Sequence, residues 1–345
     1  MNSLQLTQKQ KEAIEYFKLG KIKKAIFCFE NSIKENLNSE LVYESLGICY
    51  MEIGEYNQSI KNFNKVINLN NKNKRSIHSI IDLLNFIKPT NFTENFILST
   101  NEKILSLNLR LNDKVPDNLV LKNIFNDAKN YVDEYFGEIN YNQTQIFRRN
   151  NQRLDCDRHF KVFNKFKVIP KFCFSCYKIQ ITVENFVELV KIYFLFNQNF
   201  FKKSNLRKCM IETRSNIEGN YKAFIYYNNP QDAKDSLKVL EKKIFENSIK
   251  TQKIQIKHGC SEFSYEYPDF NKINFAGKQL FNYSKEWEKY EKIVDSENSK
   301  VNKKDNSLTG TTLNIFTLSD FFIIKNWANY AKSLGDNSYK EIFKE

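Results

Sequence analysis

A chain of 345 residues, 41% hydrophobic and 27% charged, is too apolar to be disordered throughout, and long enough for two or three domains at ~100–200 residues each. Nine glycines and five prolines exclude collagen-like and low-complexity sequence. The net charge of +13 invites nucleic acid, but 45 lysines and 45 asparagines against 8 arginines describe a compositional bias that spreads charge over a solvated surface.

The N-terminal stretch MNSLQLTQKQ has no charged-then-apolar signal pattern. No run approaches the ~18 apolar residues that span a bilayer; the richest, Phe186 to Phe196, is broken by Glu188 and Lys191. A cytoplasmic protein without membrane contact is expected, its seven cysteines reduced, metal-bound or buried rather than paired.

Leu6–Ser39 set above Glu40–Asn73 gives a 34-residue register: Tyr16 over Tyr50, Gly20 over Gly54, Ala25 over Ser59, Phe29 over Phe63, Ile33 over Ile67. Each copy reads as two amphipathic helices joined at a glycine. Small residues (Ala13/Gly47, Ala25/Ser59) fall where the helices must approach closely. This pattern resembles the tetratricopeptide repeat, with Ser59 in place of the usual alanine and Asn71 where proline is common. Residues 76–87 and 93–109 offer a third, degenerate helical pair broken at Pro89, and a helix near Asp117–Gly137 would cap the stack. The resemblance implies a concave protein-binding surface lined by the first helix of each repeat. Here that surface would present Ile14, Phe17, Ile48 and Met51, an apolar groove for a protein partner or for the chain's own second domain.

Composition shifts near residue 147. Six of the eight arginines lie between Arg148 and Arg214, and five of the seven cysteines between Cys156 and Cys260. Tyr177–Val183 alternates as a half-buried strand, and Glu184–Phe196 carries apolar residues at helical spacing. Arg207–Arg214 and Tyr221–Tyr227 are two further strands. Asn229, Pro230 and Asp232 open a helix with Ala233, Leu237, Leu240 and Ile244 as its buried stripe, and Gln252–His258 is a fourth strand. The order β-α-β-β-α-β is that of a ferredoxin-like module. Alternation would leave Lys178, Gln180, Lys208, Met210, Arg214, Lys222, Phe224, Tyr226, Lys253 and Lys257 on an open sheet face. Basic groups interleaved with rings suit single-stranded RNA; a face covered by the C-terminal segment is the alternative. Within Asn220–Tyr227, Ala-Phe-Ile-x-Tyr resembles part of an RNA-recognition signature without its basic-Gly opening.

Cys156-x2-His159, thirteen residues, then Cys173-x2-Cys176 has the spacing of a four-ligand zinc site, to which Cys209, His258 and Cys260 add candidates. Thiolates and imidazoles suit zinc or an iron–sulfur cluster rather than magnesium or calcium. Cys173 and Cys176 flank a strand start, which would put them on opposite faces unless the chain kinks at Pro170. Several buried, inert cysteines are the alternative. The segment Arg148–Lys167, with Arg149, Arg153 and Arg158, reads as a basic arm for a phosphate backbone, a solvated linker, or a set of Arg–carboxylate ties.

Ser296–Thr312 reads as a mobile loop, and Phe316–Leu334 as a final amphipathic helix capped by Thr317 or Ser319. No P-loop, G-x-G-x-x-G, G-x-S-x-G or H-E-x-x-H occurs. The expectation is an α+β chain in three parts: helical repeats over 1–140, a ferredoxin-like module with the Cys/His cluster over 141–268, and a helical extension over 269–345. The function it points to is cytosolic protein binding through the repeats, with a structural zinc in the module. RNA binding through Arg148, Arg149, Arg153, Arg158, Lys178, Lys222, Phe224 and Tyr226 is one alternative. A metal- or thiol-dependent enzyme is the other; a pocket grouping His159, Cys173, Cys176, Arg207, Glu212 and His258 would favour it.

Overall fold

Thr7 opens the first helix with a reciprocal cap: its Oγ1 accepts from the Gln10 N–H, and the Gln10 side chain accepts from the Thr7 N–H. The computed structural model describes residues 7–35, 39–89, 95–110, 114–136, 139–148, 154–198, 205–215, 217–273, 279–299 and 315–343. By their contacts they divide into two units, Met1–Ser99 with Asp295–Gly310, and Thr100–Val294 with Thr311–Glu345.

In the first unit, α1 (Gln8–Lys18) and α2 (Ile22–Lys34) form one helical pair, and α3 (Glu40–Glu52) and α4 (Tyr56–Leu69) the next. Both pairs turn the same way. Gly20 (φ +70°) and Gly54 (φ +78°) occupy the left-handed region past the first helix of each pair. The next residue then reaches back to the last turn, Lys21 N–H to the Tyr16 carbonyl and Glu55 N–H to the Tyr50 carbonyl. Ala13, Ala25, Phe29, Leu46 and Cys49 form the core between the pairs. A Cβ on Gly47 would stand 2.7 Å from the Phe63 ring, so glycine sets how closely α3 and α4 approach. Ser59 replaces alanine without cost because its hydroxyl donates to the Gly47 carbonyl at 2.7 Å. A further helix, α5 (Lys74–Leu83), is capped by Asn73 and buries Ile77, Ile80 and Ile81. The division between the units falls inside α6 (Phe96–Ser106), and α7 (Asn118–Asp133), read from sequence as a cap for the repeats, belongs to the second unit.

The second unit holds a five-stranded antiparallel sheet: β1 (Gln145–Arg148), β2 (Tyr177–Val183), β3 (Arg207–Ile211), β4 (Tyr221–Tyr227) and β5 (Thr251–His258), in the order β1-β3-β4-β2-β5. The first strand was not expected; it pairs with β3 in the register Ile146 to Cys209. Between β1 and β2 runs α8 (Cys156–Phe166), so the supposed basic arm begins as a strand and continues as a helix. Two helices, α9 (Phe186–Phe196) and α10 (Pro230–Glu246), start on the caps Asn185 and Asn229 and pack on β2 and β4. Ile179, Ile181, Cys209, Ile211, Ala223 and Ile225 are buried, whereas Ile254 and Ile256 on the edge strand are half-buried.

The other sheet face is not open as the alternation suggested. Gln180, Met210, Lys222 and Phe224 on it are all buried. Farther along the chain come α11 (Glu288–Ser299) and α12 (Leu318–Ser333). The last helix is integral to the module: Trp327 Nε1 donates to the Thr144 carbonyl at 2.9 Å and Tyr330 to the Glu212 carbonyl at 2.6 Å. Of the expected loop 296–312, residues 300–312 lie outside the described residues.

Candidate functional site

Three separate segments bring four thiols to one small cavity, lined by Cys156, Cys173, Cys176 and Cys260 together with His159 and Phe263. Cys156 is the first residue of α8, placed there by Asp155 in the left-handed region (φ +45°). Cys173 lies in a 3-10 turn, Lys171–Ser175, that starts at Pro170, and Cys176 is the extended residue that caps it. The Cys176 N–H donates back to the Cys173 carbonyl at 3.3 Å, and both thiols line the same cavity, so the opposite-face problem of a strand does not arise. Cys260 follows Gly259, whose N–H donates to the Cys176 carbonyl at 2.7 Å and so lays the end of β5 against the turn. Glycine is required there: φ is +59°, and a Cβ would stand 2.3 Å from the Phe270 ring. The wall behind the thiols is Phe163, Ile169, Phe263 and Phe270.

Burial first, and the neighbouring thiols second, push Cys176 up to about 12 and Cys173 higher still, so both are neutral thiols at physiological pH in the metal-free chain. Among the described residues no group of three or more His, Cys, Asp or Glu side chains stands in metal-holding geometry; the thiols line a common cavity without closing on one point. That space has room for about one water-sized sphere.

Two of the seven expected metal ligands, Cys209 and His258, are placed otherwise. Cys209 faces the helix side of the sheet, beside Arg148, Arg207 and Asp320. His258 turns both ring nitrogens to backbone carbonyls, Nδ1 to Phe270 at 2.8 Å and Nε2 to Phe174 at 3.1 Å. His159 reaches the cavity but stacks on Phe172, with ring centroids 5.1 Å apart. The enzyme-like grouping does not assemble either. Arg207 Nη1 donates to the Phe196 carbonyl, and Glu212 pairs with Arg214 and Lys222.

Most of the proposed RNA contacts are internal ties. Arg148 is 2% exposed; its guanidinium meets Asp320 Oδ2 at 3.0 Å, the Tyr193 hydroxyl at 2.8 Å and Asn197 Oδ1 at 2.6 Å. Burial alone would lower its pKa, but the Asp320 carboxylate raises it above the ordinary arginine value, so the cation is locked in. Arg158 pairs with Glu291 at 2.8 Å, and Lys222 is buried against Glu212 at 3.3 Å. Phe224 is buried under Lys178 and Lys208, whose ammonium groups stand 5.5 and 5.2 Å from its ring centre. Tyr226 lies near Cys156, Cys176 and Cys260, where burial raises its phenol well above the usual range. Arg149 and Arg153 lie outside the described residues. Of the carboxylates that take these cations, Asp320 and Glu291 are not singled out by the sequence. Thr317-x-x-Asp320 was the available signal, since it forms the capping box that starts α12.

On the repeats, Ile14, Phe17, Ile48 and Met51 are half-buried, and Ile14 and Phe17 lean on the core between the helical pairs. The two pairs share their turn, their close approach and their register of small residues. Residues 42–73 match the family model of the tetratricopeptide repeat. No curated protein and no solved structure matches the chain. The repeat's second copy thus carries the match, and the first repeats its turn geometry 34 residues earlier at Gly20. Among the described residues no helix is long and apolar enough to cross a membrane.

Proposed function

We propose that this chain is a cytosolic protein-interaction protein whose tetratricopeptide repeats take a protein partner and whose second unit is a ferredoxin-like module with one added edge strand. The match over residues 42–73, repeated in geometry by the first helical pair, carries the reading. For the module, the support is the order β5-β2-β4-β3 with every pair antiparallel and one helix after each of β2 and β4. The apolar groove side chains Ile48 and Met51 on α3 are accessible in part, and they are not members of the core between the pairs. Such a surface suits an apolar or amphipathic segment of a partner chain.

Ile48→Glu and Met51→Glu test it. Each variant should keep wild-type far-ultraviolet circular dichroism while losing at least about tenfold in partner affinity, since a buried unpaired carboxylate costs more than the apolar contact it replaces. A partner held equally by wild type and both variants would place the binding surface elsewhere. Loss of helicity in both variants would make Ile48 and Met51 internal packing.

A further inference from the structure

We propose that Cys156, Cys173, Cys176 and Cys260 bind one zinc ion as a four-thiolate structural site. Thiolate sulfurs in a tetrahedral set select zinc among the common divalent ions. The four come from three segments far apart in sequence, and the fold spends two special conformations to gather them: left-handed Asp155 before Cys156, and left-handed Gly259 before Cys260. The bond from the Cys176 N–H to the Cys173 carbonyl ties these two together at the end of the 3-10 turn, and the Gly259–Cys176 backbone bond fixes Cys260 beside them. Cavity size argues for a single ion against an iron–sulfur cluster, which needs several times the space of one water molecule. Cysteine has one side-chain torsion with three staggered wells, so closing the set on an ion is a matter of rotating thiols within the cavity.

Binding exchanges four S–H bonds for four S–Zn bonds; the protons leave to solvent and no electron is transferred. The finished site carries two negative charges in a largely apolar surrounding and needs cations beside it. Lys178 and Lys208 are placed for that role. Both sit over Phe224 and interact electrostatically with Cys156, and neither forms an ion pair with a carboxylate among the described residues. The sheet lysines that resemble an RNA-binding face are, on this assignment, counter-charges of a metal site. Its structural consequence is to pin α8, the 3-10 turn and the end of β5 around the aromatic cluster of Phe163, Phe263 and Phe270. The site lies wholly in the second unit and stands or falls independently of any partner on the repeats.

The test uses the full chain purified without chelator. Elemental analysis should find about one zinc per chain. Cobalt(II) exchanged into it should show the intense visible bands and sulfur-to-metal charge transfer of a tetrahedral thiolate complex. Cys260→Ser should lower zinc retention against a competing chelator by about tenfold or more, while His159→Ala and Cys209→Ser leave it unchanged. If Cys260→Ser does not fold, chelator treatment of wild type decides: alkylation mapping should then show new reactivity at the four named cysteines and not at Cys28. Substoichiometric zinc with no cobalt spectrum after reconstitution overturns the proposal. So does iron with sulfide, retention untouched by Cys260→Ser, or loss on His159→Ala.

Discussion

Replacing Arg148 by methionine leaves Asp320 buried with its charge and without its cation. Asp320 is fully buried, and Arg148 gives it two nitrogen contacts, at 3.0 and 3.3 Å. Removing one partner of such a pair costs about 3–5 kcal/mol. The lower end applies here, because Asp320 Oδ2 keeps the Tyr193 hydroxyl at 2.9 Å and the Thr317 N–H and hydroxyl at 3.0 Å. A loss of about 3 kcal/mol, divided by a urea dependence of about 2 kcal/mol per molar, moves the unfolding midpoint down by roughly 1.5 M. Both tryptophans, Trp287 and Trp327, belong to the second unit, so fluorescence excited selectively at tryptophan follows this transition without the tyrosines of the repeats. Asp320→Asn strands the guanidinium instead and should cost a similar amount. The double variant should cost clearly less than the two singles added, since neither charge is then left alone. A midpoint unmoved in the singles, or a double variant equal to their sum, would refute the view that this pair locks β1, α9 and α12 together.

Two further outcomes follow from the geometry. Glu212 would be raised by burial alone, but hydrogen bonds from Arg214 and the Lys222 ammonium hold it at about 2, against an ordinary value of 4.5. Its contribution to the second unit is therefore complete above about pH 4.5 and lost as pH falls toward 2; Glu212→Gln should flatten the fluorescence-detected midpoint between those values, and an unchanged slope would exclude Glu212 as its source. In the repeats, Gly47→Ala gains about 1 kcal/mol of helix propensity but drives a Cβ into the Phe63 ring at 2.7 Å, an overpacking cost of about 1–3 kcal/mol. A lowered midpoint of the repeat transition by circular dichroism, with tryptophan fluorescence unmoved, is expected; a raised midpoint would mean that α3 and α4 separate freely.

The helical repeats were legible because their information is local and duplicated. Glycine at the turn, a small residue at the helix contact and aromatics at fixed offsets all recur within one 34-residue period, and each maps to a backbone feature that needs it. The four strands β2 to β5 were legible by alternation, but β1 was not: it is four residues long, and its Arg148 reads as solvent-facing in any propensity scheme. What alternation cannot show is which face a distant segment covers. Lys222 and Phe224 alternate outward from the helices, yet both are buried, because Glu212 and the thiol-bearing segments meet that face.

The scarcity of arginine was a sound guide to place and a poor guide to role. Within the basic segment, the sequence leaves Arg148 and Arg158 open as contacts for an external polyanion, as a solvated linker or as Arg–carboxylate ties; each ends on an internal carboxylate, Asp320 or Glu291, from the last quarter of the chain. Planar forks are suited to both uses. What separates them is the partner, and a partner more than a hundred residues away leaves no trace in local pattern. The cysteines behave differently. Cys156, Cys173 and Cys176 share a local spacing, but Cys260 joins them only because a glycine with positive φ turns the end of β5 toward Cys176. The signal for that was the dipeptide Gly259-Cys260 after a strand, since glycine is the residue that takes such a turn without strain.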